Sequence, residues 1–182
     1  MHNFEEIEKK DIRINDNVLI IRSGDVIPKI IKPIKESRNG SEIKISKPSH
    51  CPICNSELLV ENILIKCQNL QCKARVKNSI IHFCSKKAMD IVGLGDKIID
   101  FLFEEGIINN ILDIYKITRE MLEGKEGWKD KKIQNILDSI QSSKHIELWR
   151  FISALGIEHI GEGTSKKLVE LFGFKIFDIS YD

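Results

Sequence analysis

Four of the chain's five cysteines fall within one short stretch, as Cys51-Pro52-Ile53-Cys54, then Cys67, then Cys72. No other feature constrains the fold as much. The chain opens with the charged string MHNFEEIEKK, which has no apolar core of a secretory leader. In such a chain a C-x2-C-x12-C-x4-C cluster points to a metal ion rather than to disulfides. Zinc favours four thiolates in a tetrahedron, and a C-x2-C turn presents two sulfurs to one ion. The twelve intervening residues suffice for a small hairpin, with strands predicted over 58–60 and 63–65. Lys66, Lys73, Arg75 and Lys77 stand ready to offset the negative charge of a metal tetrathiolate. No position is left open for a catalytic water, so the zinc is structural. Iron in a rubredoxin-like site, a redox dithiol and simple burial are the alternatives. The x4 gap argues against iron, and the spacing argues against coincidence. Cys84 reads as a small buried apolar residue rather than a fifth ligand. His50 and His82 flank a site that four thiolates already saturate.

Residues 11–34 read as strands. The aliphatic run at 18–21 precedes a turn signal at Ser23-Gly24-Asp25, and Val26, Ile27, Ile30 and Ile31 resume the apolar pattern. Pro28 and Pro33 lack the amide that a central strand needs, which places this second strand at an edge. Asn39-Gly40 marks a turn into a short strand over 42–46. From Ser79 onward the chain reads as short helices. Apolar stripes recur at Ile98, Ile99, Leu102 and Phe103, at Ile133, Ile136, Leu137 and Ile140, and at Leu148, Phe151, Ile152 and Leu155.

Glycines punctuate these helices with a regular period. Gly93-Leu94-Gly95-Asp96, Gly127-Trp128-Lys129-Asp130 and Gly161-Glu162-Gly163-Thr164 stand at equal intervals of 34 residues, each ending in a residue suited to cap a helix. Tetratricopeptide arrays share that period, but their Trp, Leu-Gly and Tyr pattern is absent and the shared feature is the turn. A Gly-x-Gly turn before a helix exposes backbone amides, adds the positive end of the helix dipole and lets another backbone approach. A phosphate oxygen fits such a place. One such turn is commonly only a tight connection. Three in register behind a cysteine cluster favour phosphate binding at Gly93, Gly95, Gly127, Gly161 and Gly163. Lys129 departs from the pattern in the middle copy, where the hairpin is either structural or uses the lysine's charge instead of close backbone approach.

Charge distribution makes the same demand. Residues 1–50 hold ten Lys/Arg against eight Asp/Glu, residues 51–87 six against two, and residues 88–182 twelve against seventeen. Long-range attraction to phosphates belongs to the first half. The acidic second half has to hold phosphates by local geometry, blind to base sequence. With 42% hydrophobic and 30% charged residues and no run of 18 uncharged apolar residues, the chain reads as a soluble, cytoplasmic protein without a membrane span.

Together these segments resemble the bacterial NAD-dependent DNA ligases over nearly the whole chain. HNFEEIEKKDIRINDNVLIIRSGDVIPKI is similar to the end of that family's OB-fold domain. KPSHCPIC with Cys67 and Cys72 matches its zinc finger, while HFCSKKAMDIVGLGDKIIDFLFEEGII and ALGIEHIGEGTSKKL resemble parts of its helix-hairpin-helix domain. The resemblance implies a multidomain α+β chain. Residues 1–46 form the C-terminal part of an OB-fold, 47–76 a four-cysteine zinc finger, and 77–182 a truncated, all-α helix-hairpin-helix DNA-binding domain. It implies nicked double-stranded DNA as partner, with Arg22 and Lys29 as candidate phosphate contacts of the OB segment, the alternative being solvated strand-edge charges. A monomer is expected.

The departures matter as well. No Lys-x-Asp-Gly occurs, so the lysine that attacks NAD in the family is missing, and with it the N-terminal adenylation domain. NAD and Mg2+ then belong to the full-length enzyme, and this chain alone has no catalytic residue. Asn55 and Lys129 stand where the family usually has glycine. The resemblance further places Met1 within the OB-fold and a fourth hairpin beyond Asp182. Half an OB-fold leaves open strand edges, so residues 1–46 are expected to be poorly ordered alone. Two other readings remain. One is a free-standing zinc-containing DNA-binding module acting with a separate adenylation subunit. The other is a protein-interaction scaffold, for which no salt-dependent DNA affinity is expected.

Overall fold

A computed structural model describes residues 3–23 and 27–178. The chain is α+β and divides into two compact units, residues 1–69 and 70–182. The Gly24-Asp25 part of the predicted turn lies outside the described residues.

The first unit opens with α1 (Phe4–Lys10), which the strand-oriented sequence reading does not anticipate. Its ends explain it. The Asn3 side chain accepts a hydrogen bond from the Glu5 amide, Glu5 and Glu6 occupy the first turn, and Lys9 and Lys10 the last. These charges match the helix dipole, and Asp11 ends the helix in the left-handed conformation (φ 51°). Ile7 and Ile12 are buried. Strand β1 (Arg13–Ile14) pairs antiparallel with β4 (Ile43–Lys44), and β2 (Val18–Ser23) with β3 (Ile27–Pro33). The register shifts between Leu19 and Ile20. Among the described residues β2 and β3 pair only with each other, so both proline positions fall on an edge. The strand expected over 42–46 is reduced to two residues, since the Glu42 carboxylate accepts from the Asn39 and Gly40 amides at 3.0 and 2.9 Å and belongs to the turn.

Among the described residues of this unit few apolar side chains are buried, and a polar clamp ties its segments together. The Arg38 guanidinium donates through Nε and Nη2 to the two Asp16 oxygens at 2.7 and 2.8 Å, through Nη1 to Asp11 Oδ2 at 2.9 Å, and through Nη2 to the Asp11 carbonyl at 2.6 Å. Asp16 also accepts from the Arg13 amide at 2.7 Å. One planar fork thereby joins the end of α1, the turn after β1 and the segment before β4. Further on, β5 (Leu58–Glu61) and β6 (Leu64–Cys67) form an antiparallel hairpin turning at Asn62.

In the second unit α2 (Lys73–Cys84) begins six residues earlier than the sequence suggests, directly at Cys72. It is followed by α3 (Asp96–Glu104), a 3-10 helix (Ile111–Lys116), α4 (Arg119–Leu122) and α5 (Asp130–Ser143). Then come α6 (Leu148–Ala154), α7 (Glu162–Phe172) and a closing 3-10 helix (Gly173–Phe177). The apolar stripes meet in one core. Ile99 and Leu102 of α3 and Ile133, Ile136 and Ile140 of α5 are fully buried against Ile80 and Phe83 of α2. Cys84 is buried in that core, where desolvation pushes its thiol up to about 12. The stripe of α6 is only partly covered, with Leu155 38% exposed.

The Arg38 clamp carries a pH signature. Arg38 holds the Asp16 and Asp11 carboxyls well below the usual carboxylate range. Its contribution is therefore complete above the ordinary aspartate pKa of about 3.9 and is lost as pH falls through the depressed folded values. Amide exchange in β1 and β4 is expected to accelerate as pH is lowered below that point, beyond its intrinsic pH dependence. Arg38→Ala should raise it about tenfold or more already at neutral pH and remove the acid step.

Candidate metal centre and nucleic-acid interface

The cysteine segment is built as two knuckles and a helix start. Asn55 donates its amide to the Cys51 carbonyl at 2.9 Å, and the Cys51 amide donates to the Ser56 carbonyl at 2.8 Å. This tight loop carries Cys51 and Cys54. Asn55 sits at φ 56°, a position that favours glycine and tolerates asparagine, so the departure at this residue is conformationally mild. Cys67 ends β6, and Cys72 stands at the N-terminus of α2, where the helix dipole favours a thiolate. All four sulfurs lie within 4.8 Å of one another. Cys54 and Cys67 are 3.6 Å apart, close to the roughly 3.8 Å edge of a tetrahedron with metal–sulfur bonds of about 2.3 Å. The donor set and its spacing fit a tetrahedral metal ion. Hydrogen bonding by Ser56, whose hydroxyl lies 3.4 Å from Cys54 Sγ, brings the Cys54 thiol down to about 6. Burial pushes Cys67 the other way. His50 and His82 stand outside the group: Ser49 Oγ is 3.0 Å from His50 Nδ1, and His82 Nε2 lies 3.1 Å from the Ser153 carbonyl.

The glycine turns lead into α3, α5 and α7, but their capping geometry differs from the sequence expectation. Asp96 and Asp130 are the first helical residues, with Gly95 and Lys129 at the cap, and α7 starts two residues before Thr164, capped by Gly161. None of these caps makes a side-chain hydrogen bond into the helix. A glycine has no side chain to do so, and Lys129 has no acceptor. The Ile98 and Lys132 amides bond back to the Gly95 and Lys129 carbonyls at 2.9 Å, and the first two amides of each helix have no intrahelical acceptor.

The glycines serve two purposes. Gly93 has φ 96°, and a β-carbon there would lie 2.7 Å from Ile136 Cγ1. Packing of the turn onto α5 alone demands glycine at that position. Gly127 has φ 77° and is demanded by backbone conformation. Gly95, Gly161 and Gly163 have ordinary φ and nothing within 4 Å of where a β-carbon would stand. Neither strain nor packing explains them. The first two turns also share one cleft of about 440 Å³, lined by Gly93, Gly127, Lys129, Lys131, Lys132 and Asn135. Lys132 lies over the Trp128 ring at 4.2 Å, while Lys129 and Lys131 are exposed. Inside an acidic half-chain this is a local basic surface, in which Lys131 and Lys132 join the Lys129 charge that the sequence offered as one alternative for this turn.

Arg22 and Lys29 are not brought together. Arg22 opposes Pro28 and Lys29 opposes Ile21. Neighbouring positions on a pleated ribbon project to opposite faces, so the two cations cannot serve one phosphate strand on one face.

Comparison with known proteins identifies the chain. Residues 1–42 match the NAD-dependent DNA ligase OB-fold domain. Over 179 residues, 98% of the chain, it is 58% identical to the DNA ligase of Helicobacter hepaticus. It is 60% identical to that of Wolinella succinogenes over 95% of the chain, and 54% identical to that of Sulfurimonas denitrificans over its full length. The chain belongs to the NAD-dependent DNA ligase family. It spans 27–28% of the length of these relatives. Among the described residues no helix of this ligase segment is long and apolar enough to cross a membrane.

Two classes of glycine give two classes of variant. Gly93→Ala is expected to lower Tm by several degrees through its clash with Ile136 and its positive φ. Gly95→Ala should leave Tm within about two degrees, as differential scanning calorimetry of the two variants will show.

Proposed function

We propose that this chain is the DNA-gripping, non-catalytic portion of an NAD-dependent DNA ligase. In the whole enzyme it holds nicked duplex during replication and repair in the cytoplasm, while adenylation by NAD with Mg2+ takes place on another domain. The observation that carries the reading is the unexplained glycine at positions 95, 161 and 163. Each adjoins first-turn amides that lack an intrahelical acceptor, and a phosphate oxygen is the ligand for which absence of a β-carbon matters. Residues 77–182 act as helix-hairpin-helix modules, each turn taking a backbone phosphate. The turn at Gly127 works differently. Lys129 and Lys131 supply charge there in place of close backbone approach.

The four cysteines hold a structural Zn2+, with Cys51, Cys54, Cys67 and Cys72 as its ligands. The ion supplies no chemistry beyond cross-linking the segment. Residues 1–46 contribute OB-fold strands, and of Arg22 and Lys29 only the one on the DNA-facing side of the β2–β3 ribbon contacts phosphate. The chain acts as a monomer.

Binding to nicked duplex across a salt series tests this. The double variant Gly161→Ala/Gly163→Ala should weaken binding about tenfold with little change in Tm. Lys131→Ala should reduce the slope of log affinity against log salt by about 0.9. Parent-like binding by both variants would refute the assignment of the turns and of the lysine cleft.

A further inference from the structure

We propose that Cys54 and Cys67 form a site of oxidative modification, at which hydrogen peroxide closes a disulfide and expels the metal ion. The proposal rests on the reading of the four cysteines as a metal centre, and it concerns an asymmetry within that centre. Cys51 and Cys72 are 7% and 1% exposed, whereas Cys54 and Cys67 are only partly buried. Next to Cys54, Ile53 is 60% exposed, and the hairpin that carries Cys67 leaves Val60, Ile63 and Leu64 more than half exposed. Cys54 and Cys67 are thus the more exposed residues of the four, and solvent and small oxidants approach them more easily than Cys51 and Cys72. The pair is also close enough to react. The 3.6 Å separation has to shorten to about 2.05 Å, which side-chain rotation in a loop and at a strand end can supply.

The chemistry balances with the two thiolates, one peroxide and two protons taken from solvent. The Cys54 sulfur attacks a peroxide oxygen, the O–O bond breaks, and the departing oxygen leaves as water after taking a proton, giving a sulfenic acid. Cys67 sulfur then attacks the Cys54 sulfur, the S–O bond breaks, and a second water leaves as the S–S bond forms. Two electrons pass from the sulfur pair to the peroxide. A metal ion left with two of its four thiolates is bound far more weakly and departs. Cys84, 3% exposed in the helical core, is the internal control that stays reduced.

The test uses the whole chain loaded with Zn2+, its metal content measured before oxidant is added. Hydrogen peroxide is then titrated in, released Zn2+ is read with a chromogenic chelator, and free thiols are alkylated for peptide mass spectrometry. The expected result is one Zn2+ released per Cys54–Cys67 disulfide, with Cys51, Cys72 and Cys84 alkylated. A thiol reductant plus Zn2+ should restore the original metal content. A predominant disulfide containing Cys51 or Cys72, or oxidation of Cys84 ahead of metal release, would overturn the proposal. A chain that takes up no Zn2+ refutes the metal centre itself. In that case the same mapping on the metal-free chain decides, with the Cys54–Cys67 disulfide supporting the pairing and any other predominant disulfide overturning it.

Discussion

Four sulfurs within 4.8 Å of one another are the constraint on which the middle of this chain depends. As thiolates they repel, and only a cation at their centre reverses the sign of that interaction. Residues 49–72 have little else to hold them, because Ile53, Val60, Ile63, Leu64 and Leu70 are all largely exposed. Two short strands and a knuckle loop cannot bury enough apolar surface to order themselves. With an ion held there, as proposed, its binding free energy would be the folding free energy of this segment. Lys66 and Lys73, beside the third and fourth ligands, suit a site whose net charge with a divalent ion is negative.

The two ends of the chain solve the problem of order differently. Residues 70–182 follow ordinary rules, with helical stripes meeting in a core of isoleucine, leucine and phenylalanine. In residues 3–44 the apolar residues Ile14, Leu19, Ile20, Ile21, Ile34 and Ile43 stay exposed, and the Arg38 clamp on Asp11 and Asp16 carries the local order. A polar network of that kind specifies one geometry without supplying much hydrophobic stabilisation.

Much of this was legible in the residues. The cysteine spacing, the β5–β6 hairpin and the stripes of α3 and α5 depend on short-range periodicity, which sequence displays directly. What escaped depends on partners distant in sequence or on single residues at element ends. Arg38 lies 22 and 27 positions from its aspartates, and no local pattern links them. Helix α1 is specified by Asn3, its charged ends and Asp11 rather than by an apolar stripe, so the search for periodicity passed over it. The repeated tetrapeptides suggested caps at Asp96, Asp130 and Thr164, whereas the helices begin early enough to leave Gly95, Lys129 and Gly161 at the cap. A motif also could not separate Gly93, whose hydrogen faces Ile136, from Gly95, which faces open space. That distinction is three-dimensional.

The central claim is that backbone amides at the helix starts receive phosphates. Titrating the 15N-labelled, metal-loaded chain with nicked duplex and following its amide resonances tests it most directly. The account predicts that the largest early shifts fall on residues 95–97, 129–132 and 161–164, and that they reverse with added salt. Shifts confined to residues 3–72, with those three helix starts unmoved, would contradict it.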